Sequence, residues 1–325
     1  MPRWDWAFCA PNVLAIVDRH PHAFYICAFA AALLAGCSAL RQAQSDTLPP
    51  KGAMSQNGAV EPSAQGRDLL YVAGVGYSGS TNIYTYPKGR LLSSVAAISS
   101  TMCSNAAGDV FLTESYGVAE YPHGASTQIA FINPPFGSAR GCSIDPITGN
   151  LAIVAQTENV FGVAIYRPEH DHRWHAPRVY NFTEPQEACS YDSAGNLFVA
   201  GFTSSRGLSL VELPKGKSAF ETITLDTQVT PQGNIQWDGR FLAIGDFGDT
   251  VIHRFAIKGT GTQIGSLTLL RAKYIRQFWI QGGTLIGPDT YNRGVGFWRY
   301  PQGGAPLKRL SASGGSGVTV SLARR

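Results

Sequence analysis

Between residues 68 and 322 the hydrophobic positions fall in short runs, several of them alternating with polar ones, and turn-forming clusters separate the runs. That is the pattern of short strands, and alternation marks those with one buried face. The unit is clearest from Cys189 to Pro214. Residues 192–196 (DSAGN) form a turn, because Asp and Asn bond to local backbone and Gly accepts positive φ. Residues 197–200 (LFVA) are an apolar strand, and residues 208–213 (LSLVEL) are a second, largely alternating one. Residues 214–217 turn again, and residues 220–225 (FETITL) predict an outer strand with one wet face.

Worn copies of this unit run along the chain. Cys103 opens one, Cys142 the next, then Cys189, Ile235 and Phe278; the first copy starts at Asp68 and lacks an opening strand. Tyr86, Tyr121, Tyr166, Leu213, Ile257 and Tyr300 mark the third strand of each copy, at spacings of 35, 45, 47, 44 and 43 residues. Four short strands with tight turns need about 40–50 residues, the period of a propeller blade. One such sheet cannot bury both faces alone, so six copies predict a closed ring. The predicted fold is therefore an all-β, six-bladed β-propeller. The strand missing from copy one is balanced by a spare alternating run at residues 317–322 (GVTVSL). Pairing of that C-terminal strand with blade one would close the ring and remove its open edge.

The copies resemble the NHL-type propeller repeat and, more loosely, the YVTN family of bacterial propellers. The likeness is best in residues 284–301 (TLIGPDTYNRGVGFWRYP) and residues 241–257 (FLAIGDFGDTVIHRFAI). It covers roughly residues 68–322 and implies fold rather than function.

Residues 1–36 read as an export signal. Residues 23–35 (AFYICAFAAALLA) are a 13-residue apolar run preceded by Arg19, short for a membrane span and about right for a signal core. The run ends in Leu34-Ala35-Gly36-Cys37, which resembles the bacterial lipobox. The resemblance implies cleavage before Cys37 and lipidation of its thiol, giving a stable membrane anchor; an ordinary signal or a short membrane anchor is the alternative. Ser38, where inner-membrane retention would place Asp, implies an outer-membrane location in the cell envelope. The stretch before Ala23 is long for a signal, which leaves open a start nearer Val13 or Val17. Residues 37–66 lack apolar periodicity and read as a disordered tether with a reach of roughly 30 Å, leaving residues 67–325 for the propeller. Charged residues make up 15% of the chain and net charge is +4, with no basic stripe; nucleic acid is therefore not an expected partner.

Cys103, Cys142 and Cys189 share one position of the repeat. They read as buried thiols, with a disulfide between adjacent blades, or a soft-metal or catalytic thiol, as alternatives. Glu114, Asp246 and Asp289 occupy equivalent positions after the second strands of three copies. They could converge on a divalent cation such as Ca²⁺, an arrangement similar to the metal site of the senescence-marker/gluconolactonase propellers; alternatively each caps its own loop. Tyr77, Tyr116, Asn159, Phe247, Tyr291, Asn292 and Arg293 lie in the same class of loop and suit a funnel for a small ligand, a glycan or an envelope protein. The cluster in residues 169–175 (EHDHRWH) reads as a solvated outer turn, with metal binding or a pH-responsive contact as alternatives. No nucleophile elbow, phosphate loop or HExxH motif occurs, and residues 74–79 (GVGYSG) open no helix. The chain reads as a non-catalytic binding propeller, with a metal-dependent lactonase- or lyase-like enzyme as the alternative.

Overall fold

The computed structural model describes residues 62–74, 79–205, 207–246, 250–312 and 315–324. The export signal, Cys37 and nearly all of the tether lie outside these residues, as do Tyr77 and Phe247.

Six sheets follow one another around a ring. Blade two is typical: Met102–Ser104, Val110–Glu114, Gly117–Tyr121 and Ala130–Ile132, antiparallel from the inside outward. Blades three, four, five and six begin with inner strands Ser138–Ile144, Gln186–Tyr191, Pro231–Trp237 and Trp279–Gln281. The hydrophobic clusters lie mainly between blades. Leu69, Tyr71 and Ile83 of blade one pack on Met102, Leu112 and Ala119 of blade two, and Phe111 and Val118 of blade two pack on Leu151 and Ile153 of blade three. Stacking face on face is how four-stranded sheets bury both of their surfaces.

Closure follows the predicted route. Val318–Ser321 is the inner strand of blade one, antiparallel to Leu69–Ala73, with Leu69 opposite Ser321 and Val72 opposite Val318. Blade two clamps it: Ser104 Oγ donates to Val320 O at 2.8 Å, and Ser321 Oγ donates to Gly108 O. Gly108 has φ +89°, and a Cβ there would come within 2.6 Å of Leu322 O; a side chain would push the closing strand away.

The predicted outer strand at residues 220–225 is split. Glu221–Thr222 pairs with blade four, whereas Thr224–Leu225 crosses to pair in parallel with Thr260 and Gly261 on the outer strand of blade five. The buried Ile223 lies between the two pieces.

The repeat cysteines divide between two of their readings. Cys103 and Cys142 form a disulfide, with Cα atoms 5.8 Å apart, joining the inner strands of blades two and three. Cys189 is a buried thiol that donates to Ala152 O, and burial pushes its pKa far above the ordinary range. A cross-link closing a loop with a sequence separation of 39 residues restricts the unfolded chain. Reduction is expected to lower stability by about 2–4 kcal/mol. Urea transitions with and without dithiothreitol would measure this, and coincident midpoints would contradict it.

Candidate functional site

Each blade's second strand ends beside the start of its inner strand, because the two are antiparallel. The loops after the second strands and the connections between blades therefore gather at one end of the ring. There blades six, one, two and three line a funnel of about 530 Å³, whose residues include Ser100, Thr113, Glu114, Arg140, Tyr274 and Arg276.

Arg140 reaches the funnel because of a bulge. Ala139 pairs with Ala155 and Gly141 with Val154, so Arg140 has no partner opposite. A bulge re-aims the extra residue's side chain. Blade four has the same irregularity, with Gln186 opposite Gly201, Ala188 opposite Ala200, and Glu187 the extra residue. Gly141 lets the bulges nest, since a Cβ there would stand 2.9 Å from Glu187 O. Across the axis, Arg276 Nη2 of the segment leading into blade six lies 3.9 Å from Glu187 Oε2, and Gln156 Nε2 donates to Glu187 Oε1 at 3.2 Å. Arg276 thus has a carboxylate. Arg140 Nε is buried with no hydrogen-bond partner among the described residues.

Hydroxyls complete the wall. Ser100 Oγ lies 3.2 Å from Thr113 Oγ1, and Thr101 Oγ1 donates to Arg140 O at 2.6 Å, fixing the bulge. Burial raises the Glu114 carboxyl above its usual range. The funnel thus carries one unpartnered guanidinium nitrogen and one carboxyl held closer to neutrality.

Of the acids expected to converge, Glu114 lines the funnel. Asp246 and Asp289 cap loops: Asp246 Oδ2 accepts from Thr230 N, while Asp289 accepts from Lys273 N, from the Asn292 backbone and side chain, and from Arg309 Nη2 at 3.1 Å. Tyr116 and Tyr291 are exposed, and Tyr291 meets the funnel residue Tyr274 edge-on at 5.3 Å. Asn292 donates to Arg271 O, and Arg293 stands at a turn with φ +48°. Asn159 is exposed in the loop before Phe161–Tyr166.

Arg140, Glu187 and Arg276 were not among the expected residues, although a signal existed. Each lies two positions before the residue opening its copy, namely Cys142, Cys189 and Phe278. A charge at the threshold of an innermost strand has only the axis to point into.

A second axial cavity, about 280 Å³, opens at the other end and is lined by Cys103, Cys142, Asp192 and Trp237. Its polar groups are engaged: Asp192 accepts from Ala194 N, Asn196 N and Asn196 Nδ2, and Ser190 Oγ accepts from Trp237 N. The funnel is therefore the better ligand site.

No family model matches the sequence, and comparison with curated proteins gives no match. Solved structures similar to this one include a nidogen/laminin complex, with TM-score 0.63, 14% identity, and coverage of 79% of this chain and 100% of that one. A periplasmic gluconolactonase from Pseudomonas aeruginosa gives TM-score 0.56 at 12% identity over 79% of this chain and 99% of that one. A Bacteroides caccae protein of unknown function gives 0.58 at 12% identity over 78% and 99%. At these identities the likeness concerns the propeller fold.

Proposed function

We propose that this chain is a lipid-anchored propeller of the bacterial cell envelope that binds a small, anionic, hydroxyl-bearing ligand in its axial funnel. The observation that carries the reading is the buried Arg140 Nε in a wall of hydroxyls. A buried donor without an acceptor costs about 1–3 kcal/mol, and a carboxylate or phosphate in the funnel would supply one. Serine and threonine hydroxyls beside it suit a polyol. The anchor rests on the Cys37 motif: Cys37→Ser is expected to abolish both acyl labelling of the protein and its cleavage before residue 37, read by labelled palmitate and by the mass of the product.

Gluconate and 6-phosphogluconate are suitable probes, with glucose as the neutral control. By calorimetry both anions should bind more tightly than glucose, and Arg140→Ala should weaken them roughly 10-fold or more, the value of a charge-assisted hydrogen bond. Equal affinity for glucose and gluconate, or an unaffected Arg140→Ala protein, would overturn the reading.

A second reading, a lactonase-like hydrolase, is supported by the raised Glu114 carboxyl in the funnel and by the structural likeness to a gluconolactonase. A carboxyl nearer neutrality is better matched to moving a proton from water. The acidic ring expected to hold a cation does not form, because Asp246 and Asp289 cap their own loops, so this reading rests on Glu114. Hydrolysis of glucono-δ-lactone that disappears in Glu114→Gln would select this reading over simple binding.

A further inference from the structure

We propose that Asp109, Glu120 and His172 form a site for a divalent transition-metal ion such as zinc, which clips the outer hairpin of blade three onto blade two. One ligand atom from each residue can be chosen so that all three lie within 4.8 Å of one another. Asp109 and Glu120 are buried, at 7% and 2% exposure, and His172 comes from the solvent side.

The residues converge for local reasons. Asp109 ends the turn before Val110–Glu114, where Asn105 Nδ2 holds its Oδ2 at 2.9 Å. Glu120 sits on Gly117–Tyr121, opposite Phe111. His172 arrives on a short turn in which Asp171 and His172 both have positive φ, 60° and 56°. That turn closes with Pro168 bridged to Trp174, and Trp174 packs edge-on against Phe111 at 5.9 Å. The turn is largely exposed, as expected of an outer turn, and it touches blade two through His172 and Trp174, which both reach Glu120.

Three features mark a metal site. Two buried carboxylates this close repel each other, and a divalent cation would offset both charges. His172 Nδ1 and Glu120 Oε1 share a hydrogen bond of 3.0 Å, and an ion taking the proton's place would part them only to the roughly 3.3 Å edge of a tetrahedron with ligands at about 2.0–2.1 Å. The carboxylates also have supporting partners, Asn105 Nδ2 on Asp109 and Trp174 Nε1 on Glu120 Oε2 at 3.0 Å, as ligating carboxylates commonly do. One imidazole with two carboxylates suits zinc or a neighbouring first-row ion; calcium prefers oxygen ligands alone.

The test uses the full chain without a histidine tag. Zinc is titrated by calorimetry, and thermal unfolding is followed with zinc or calcium. One zinc ion should bind and raise Tm by roughly 5 °C at saturation; calcium should not. Glu120→Gln, Asp109→Asn and His172→Ala should each weaken zinc at least about 10-fold. His172 is half-exposed, so His172→Ala gives a variant that keeps its fold if a buried substitution does not. Cobalt substitution should give a visible spectrum without a thiolate charge-transfer band. The proposal is overturned if zinc does not bind, if His172→Ala binds it as the parent does, if the thiolate band appears, or if a paired His170→Ala/His175→Ala variant loses the ion while Asp109→Asn keeps it.

Discussion

A chain that stops at Ser316 does not fold to a cooperative, soluble monomer. Val318–Ser321 is the inner strand of blade one, and all four of its residues are buried. Its removal bares Leu69–Ala73, whose five residues are buried in the intact ring, and makes them an unprotected edge of the kind that pairs with other chains. It also strips partners from blade two and blade six: Ser104 loses Val320 O, and Gln277 loses Val318 N. A gentler probe is Val320→Asp, which places an unpaired charge at a position 2% exposed and should cost at least about 4 kcal/mol. Circular dichroism on heating, with size-exclusion chromatography, would check both. A truncated chain that melted cooperatively within a few degrees of the full one would contradict the role given to this strand.

Gln277→Ala is expected to have the second largest effect, about 3 kcal/mol. Gln277 is 3% exposed and precedes the inner strand of blade six. Its Oε1 accepts from Met102 N at 3.1 Å and from Val318 N at 2.9 Å, and its Nε2 donates to Met102 O at 2.7 Å. One amide therefore ties the inner strands of blades two and one to blade six. Each such bond contributes about 1 kcal/mol net, and deletion leaves buried backbone groups without partners. Gln277→Glu retains the size but loses the donor to Met102 O, so it should be damaging as well. Urea unfolding would show a lower midpoint with an unchanged slope if the native contacts alone are affected. A loss below about 1 kcal/mol in Gln277→Ala would mean that water replaces the amide and that it does not hold the three strands.

The architecture was legible because it depends on local, repeated signals. Alternating runs, turn residues such as Asp192 and Gly195, and the even spacing of Tyr121, Tyr166 and Tyr300 each report on a few adjacent positions. The closing strand was legible by subtraction, since copy one lacked a strand and the tail supplied one. The axis was harder to read. Which side chains meet there depends on bulges at Arg140 and Glu187 and on a bond between Met102 and Gln277, 175 residues apart. Periodicity does not carry such pairings. Asp289 illustrates the same limit: the repeat placed it after its strand, and it is the last residue of Thr284–Asp289, but its partner Arg309 lies on the outer strand of the blade. Glu120 looked like one more polar position of a strand, and nothing beside it in the sequence showed that a turn 52 residues away would cover it.

Asp68 meets the tail, and Arg67 meets His123, at the end of the ring that carries the turn at residues 105–109. His123 Nε2 lies 3.0 Å from Arg67 O, Ala323 N donates to Asp68 Oδ1 at 3.0 Å, and Arg324 Nε donates to Ala107 O. Ser100 and Glu114 line the opposite mouth. Asp68 and Ala323 thus lie on its underside. A ring coupled to a sensor chip through either position would turn its open cup toward the surrounding fluid.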